Sequence, residues 1–141
     1  MKGRNHEVFA LWTASLEVGR ESAQEGRILQ AVIPRQRPGQ TAFGVYVHIP
    51  GEELQHIQLA NYVRGERSII QLHTHPGADV RMSELDREWE VTSHVGALSI
   101  IVPNYCAHGL RLFSGANIYE REEDDWRLWT VQEAKERMRI T

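Results

Sequence analysis

The chain interrupts its own apolar stretches at short intervals. Val8-Phe9-Ala10-Leu11-Trp12, Arg27 to Ile33 ahead of Pro34, Phe43 to Ile49 ahead of Pro50-Gly51, Ser68 to Leu72, and Ala97 to Val102 ahead of Pro103 are each five to seven residues long. Most are rich in β-branched and aromatic side chains, and none is long enough for a buried helix, so they read as strands. A proline at the end of a run removes a backbone donor and stops either kind of element. Arg37-Pro38-Gly39-Gln40 reads as a loop, and Leu110 to Phe113 with Asn117 to Tyr119 reads as a hairpin turned at Ser114-Gly115.

Three segments carry helical spacing instead. Between Glu52 and Arg64, Leu54, Ile57, Ala60 and either Leu59 or Val63 would form an inner face. Ser83 opens a second helix carrying Leu85, Trp89 and Val91 to about His94. Thr130-Val131-Gln132-Glu133 matches a capping box, with Val131, Ala134 and Met138 as the inner stripe of a terminal helix. Strands and helices without regular βαβ alternation predict an α+β fold, a mixed sheet flanked by two or three helices.

With 141 residues, 41% hydrophobic and 25% charged, the expectation is one globular domain over residues 1–141. The net charge of −3 carries no basic surplus, so nucleic acid is not the expected partner. No apolar run reaches the length of a membrane span, and Met1-Lys2-Gly3-Arg4-Asn5 is followed by no signal-like apolar block. Cys106 is the only cysteine, which excludes an internal disulfide and fits a reducing compartment, so the cytoplasm is the expected location.

The chemistry concentrates in His73-Thr74-His75-Pro76 and Ser83-Glu84-Leu85-Asp86. At a strand end, residues i and i+2 point to one side, so His73 and His75 can offer two imidazoles to one cation. Pro76 turns the chain off the sheet, and a helix opened by Ser83 can bring the Asp86 carboxylate back. Two histidines and a carboxylate leave a fourth tetrahedral position for water, as in a catalytic zinc site, where the water pKa falls to about 7. Taken alone, Ser-x-x-Asp is a helix N-cap with an acidic third residue, and a histidine pair can be a surface turn; the joint spacing favours chemistry. The remaining histidines, His6, His48, His56, His94 and His108, are scattered and carry no assigned role.

His-x-His-Pro, with seven residues between His75 and a Ser-x-x-Asp, resembles the signature of the JAMM (MPN+) zinc metalloprotease family, in its prokaryotic JAB-type branch. Glu7 leading into a Leu-Trp strand, Ile33-Pro34-Arg35-Gln36, and Leu98 to Pro103 extend the likeness over roughly Glu7 to Tyr105. The resemblance implies a single-domain MPN fold, similar to cytidine deaminases, with a curved mixed sheet. It implies one zinc ion held by His73, His75 and Asp86, a glutamate general base from an upstream strand, and Ser83 on the oxyanion. Among Glu7, Glu17, Glu21 and Glu25, Glu7 is the one that leads straight into an apolar strand, and it is taken as the base. Cys106 is then no nucleophile but a small buried thiol.

The activity implied is hydrolysis after the C-terminal tail of a ubiquitin-like modifier, with operon-encoded activating and conjugating enzymes as company, in some cases in antiphage defence. The alternatives are a metallopeptidase or amidohydrolase for small peptides, and a metal-free MPN scaffold that only binds proteins.

Overall fold

The computed structural model describes residues 7–16, 26–41, 44–88 and 91–140. His6, Glu17, Glu21, Glu25, Phe43 and Trp89 lie outside the described residues. The elements run β1 (Phe9–Ser15), β2 (Gln30–Val32), β3 (Arg37–Thr41), β4 (Gly44–His48), α1 (Gly51–Val63), β5 (Glu66–Thr74), α2 (Glu84–Glu88), β6 (Leu98–Val102), a three-residue 3-10 turn (Asn104–Cys106), β7 (Asn117–Arg121), β8 (Trp126–Leu128) and α3 (Val131–Arg137). Six strands form one mixed sheet in the order β2-β1-β5-β6-β7-β8, and β3 with β4 forms a separate two-stranded ribbon. The described residues thus make a mixed α+β fold with three α-helices. None of these helices is long and apolar enough to cross a membrane.

Only β5 and β6 run parallel; every other neighbouring pair in the large sheet is antiparallel. A parallel pair needs a crossover connection, and here it is the segment from His75 through α2 to Ala97. Side chains alternate between faces along these strands. Ile70, Ile100, Val102 and Ile118 pack on one face with Leu112, Trp129 and Ala134, under α3. On the opposite face Phe9 and Leu11 pack with Ile49 and Ile57, and Met82, Ala97, Ile101, Tyr119 and Trp126 form a third cluster. Ile100 and Ile101 are fully buried, each contributing about 1.5–3 kcal/mol of hydrophobic stabilisation. Gln71 and His73 alternate with Ile70 and Leu72, so they stand on the face away from α3.

The structure corrects several expectations. Arg37 to Gln40 is not a loop but most of β3, paired with β4 at Pro38↔Val47 and Gly39↔Tyr46. Proline is tolerated there because, among the described residues, β3 has a partner on one edge only. Leu110 to Phe113 forms no strand, since β6 and β8 already occupy both edges of β7. That segment instead closes a turn through Ser114 N–H to the Arg111 carbonyl at 3.3 Å and packs Leu112 into the core.

Among the described residues the helix opened by Ser83 covers Glu84–Glu88, and residues 91–94 are not helical, so it does not reach His94. The buried Gln71 carboxamide oxygen accepts the Val91 and Thr92 N–H groups at 3.0 and 2.9 Å, drawing this backbone onto the sheet in place of further helical turns. In α1 Leu54 and Ile57 pack against the core as expected and Asn61 is the third inner position, donating to Ser68 Oγ at 3.2 Å, whereas Leu59 and Val63 are exposed. Val131 is likewise exposed at the first position of α3, while Ala134 and Met138 meet the core. Cys106 is half-buried rather than buried.

Candidate metal centre

The site forms where the parallel pair ends. His73 is the penultimate residue of β5, opposite Ile101 of β6. Thr74 N–H donates to the Val8 carbonyl at 3.1 Å, Val8 N–H donates to Thr74 Oγ1 at 2.9 Å, and His75 N–H donates to the Val102 carbonyl at 2.8 Å. Extended geometry therefore persists to His75, and both imidazoles stand on one side. Pro76 and Gly77 then release the chain. The loop is tied back by Tyr105 N–H to the His75 carbonyl and Asn104 N–H to the Gly77 carbonyl, both at 2.9 Å. Asn104, Tyr105 and Cys106 hold these bonds with φ of 55°, 51° and 61°, three consecutive left-handed residues without a glycine, a conformation that costs roughly 1–2 kcal/mol per residue.

Ser83 and Asp86 make a reciprocal helix cap. Asp86 N–H donates to Ser83 Oγ at 3.1 Å and Ser83 N–H donates to Asp86 Oδ2 at 2.8 Å. The cap aims the carboxylate at the strand end, with Oδ1 3.1 Å from His73 Nε2 and Oδ2 3.1 Å from His75 Nε2. The two Nε2 atoms are 3.2 Å apart. The local N-cap and the metal-ligand readings of Ser-x-x-Asp are therefore compatible: capping is what orients Asp86.

This triangle fits a metal ion. His75 Nδ1 lies 2.8 Å from the Asp79 carbonyl, which can only accept, so Nδ1 carries a proton and Nε2, facing a carboxylate oxygen, is left to bind either a second proton or a metal ion. A tetrahedral ion with bonds of about 2.0 Å has ligand edges of about 3.3 Å, close to the three distances here. His73, His75 and Asp86 could accordingly hold a metal. His73 is steadied by the Phe9 ring, stacked at 5.9 Å between centroids and 8° between planes.

Burial alone would raise the Asp86 carboxyl, but the hydrogen bonds from His73 and His75 outweigh it and hold the group well below the usual carboxylate range. For His75, burial favours the neutral ring, and the Asp86 hydrogen bond overcomes it, so its pKa is raised. Glu7 is 8% exposed and borders the same small cavity of about 30 Å³ as Phe9, Val47, Gln71, His73, Leu85 and Asp86. That is room for about one or two waters. Burial, opposed by His75 and reinforced by Asp86, pushes the Glu7 carboxyl up to about 7. Ser83 Oγ uses a lone pair in the cap, leaving its O–H free to donate.

Two supporting residues were not assigned roles from sequence. Beyond Leu11↔Val32, Pro34 cannot continue the ladder, and the Gln36 side chain stands in for the missing strand. Its Oε1 accepts Phe9 N–H at 2.7 Å, and its Nε2 donates to the Phe9 and Pro34 carbonyls at 2.9 and 2.8 Å. The readable signal was a carboxamide two residues past the proline that ends the pairing. Gln71 donates to Ser99 Oγ at 3.2 Å while capturing the backbone after α2, and its place two residues before His73 was its only mark.

No protein-family model matches the sequence. Over 102 residues, 72% of this chain, it is 38% identical to the probable metalloprotease y4jG of Sinorhizobium fredii (strain NBRC 101917 / NGR234). The matched region spans 59% of that relative's length.

Proposed function

We propose that this chain is a zinc metallopeptidase of the JAMM (MPN+) type, acting as an isopeptidase on the C-terminal tail of a ubiquitin-like modifier. The observation that carries the metallopeptidase reading is the convergence of His73, His75 and Asp86 beside the buried Glu7. The 38% identity to a probable metalloprotease supports it. The choice of ubiquitin-like substrates rests on the JAMM-like spacing of these residues.

In this reading His73, His75 and Asp86 hold the zinc. When bound, zinc supplies Lewis acidity and a nucleophilic water at neutral pH. Glu7 acts as general base: a carboxylate oxygen takes the proton from the attacking water and returns it to the amine nitrogen as the peptide bond breaks. The Ser83 hydroxyl donates to the carbonyl oxygen as negative charge develops there. Phe9 and Val47 wall the cavity and limit water around Glu7. No covalent enzyme intermediate is needed, so Cys106 has no part.

The test is cleavage of ubiquitin-like proteins fused through their C-terminal glycine to a reporter. The zinc-loaded chain should cut at the junction, and Glu7→Gln should keep the metal while losing at least ~10²-fold in rate. Cleavage that survives both chelation and Glu7→Gln would overturn the proposal.

A further inference from the structure

We propose that Tyr119, assisted by Asn117, is a positioning residue for the metal centre, holding the loop between the two histidines and Asp86 in its ligating shape before metal arrives. This inference rests on the metal-binding reading of His73, His75 and Asp86. The loop of residues 76–82 must return the chain so that Ser83 caps α2 and Asp86 meets the histidines. It contains two ends that matter: the Asp79 carbonyl, which receives His75 Nδ1–H at 2.8 Å, and Met82, which leads into the Ser83 cap.

Tyr119 bridges the segment between those ends from β7. Its hydroxyl donates to the Val80 carbonyl at 3.2 Å, accepts Met82 N–H at 3.2 Å, and accepts Asn117 Nδ2–H at 3.1 Å. A phenol has one donor and two acceptor positions, and all three are engaged. Asn117 Nδ2 also donates to the Val80 carbonyl at 3.1 Å. The ring is 7% exposed, packed with Met82, Ala97, Ile101 and Trp126, and Val80 closes over the same cluster. Arg87 adds a bond from Nη1 to the Met82 carbonyl at 2.9 Å, and Asp79 Oδ1 receives Arg81 N–H at 3.0 Å. The hydroxyl thus fixes the carbonyl after Asp79 and the N–H before Ser83, the two places from which the His75 ring and the Asp86 carboxylate take their direction.

The arrangement has the character of an outer-shell support, whose loss typically weakens metal binding by 10- to 100-fold. A purely structural role would lower stability without that loss. The experiment measures zinc affinity by competition with a chromogenic chelator, alongside thermal unfolding of the metal-free protein, for wild type, Tyr119→Phe, Asn117→Ala and Ile118→Val. Ile118 is the intervening residue, buried on the opposite face, so Ile118→Val perturbs the core without touching the loop.

Tyr119→Phe should weaken zinc binding by about 10- to 100-fold, and Asn117→Ala by less in the same direction, while Ile118→Val loses stability at unchanged affinity. If Tyr119→Phe does not fold, the half-exposed Asn117→Ala carries the test. Wild type binding zinc with Tyr119→Phe or Asn117→Ala binding equally well overturns the positioning role alone. Wild type binding no zinc overturns the metal centre, and this role with it.

Discussion

The Nδ1–H of His75 meets the backbone carbonyl of Asp79 at 2.8 Å, and that contact fixes what the opposite side of the ring can do. With Nδ1 protonated, Nε2 can receive either a second proton or a metal ion. In the metal-free protein the nearby Asp86 favours the proton, and the His75 pKa is raised accordingly. Zinc must displace that proton, so affinity should increase about tenfold per pH unit below the raised His75 pKa and flatten above it. Zinc competition measured from ~pH 6 to ~pH 9 should therefore show a slope persisting above the ordinary histidine value. A flat profile would remove His75 from the ligand set.

Glu7 gives the opposite sign in protein stripped of metal. Its carboxyl, raised from 4.5 to about 7, makes the ionised form unfavourable in the folded state. The stability it leaves intact is full below the unfolded value and is lost as pH rises through about 7. Glu7→Gln should consequently stabilise chelated protein at alkaline pH by on the order of 1–3 kcal/mol, read as a higher melting temperature, and change little in acid. Equal melting shifts at both extremes would show that Glu7 is not desolvated.

Ser83 combines two roles that substitution can separate. Glycine replaces a serine N-cap at a cost of a few tenths of a kcal/mol, whereas alanine costs ~1 kcal/mol. Ser83→Gly should therefore stay close to wild-type stability yet lose ~10²–10³-fold in hydrolysis of the reporter fusion, because the hydroxyl donor is gone. Chemical denaturation and steady-state rates on the same samples read both. Ser83→Gly with full activity would leave the hydroxyl as a cap only.

Gln36 ties down the end of β1, where Phe9 pairs with His73. Gln36→Leu removes all three bonds to Phe9 and Pro34, leaving the Phe9 N–H and carbonyl without that partner. The expected cost is about 1–3 kcal/mol, and hydrogen exchange of the Phe9 amide should accelerate more than that of Leu11. Unchanged Phe9 protection would contradict the strand-substitute role.

What could be read from sequence follows the range of the forces involved. His73, His75, Ser83 and Asp86 were legible because strand alternation and helix capping act over two or three residues. The Thr130 capping box was legible for the same reason, and it is formed in the structure. Edge occupancy is not local: whether Arg37 to Gln40 pairs, or Leu110 to Phe113 does not, depends on which strands already fill the neighbouring positions. Gln71 captures the Val91 N–H from twenty residues away along the chain, and Tyr119 reaches Met82 across 37. Such polar captures are invisible to periodicity, because the sequence carries the donor and the acceptor in separate elements.

The most direct measurement is zinc per chain in protein purified without chelator, for wild type and Asp86→Ala. The converging ligands predict about one zinc in wild type and loss of it in the variant, since one side of the triangle is removed. Wild type that takes up no metal when zinc is supplied, or Asp86→Ala that holds it as tightly, would contradict the metal centre on which the proposed hydrolysis depends.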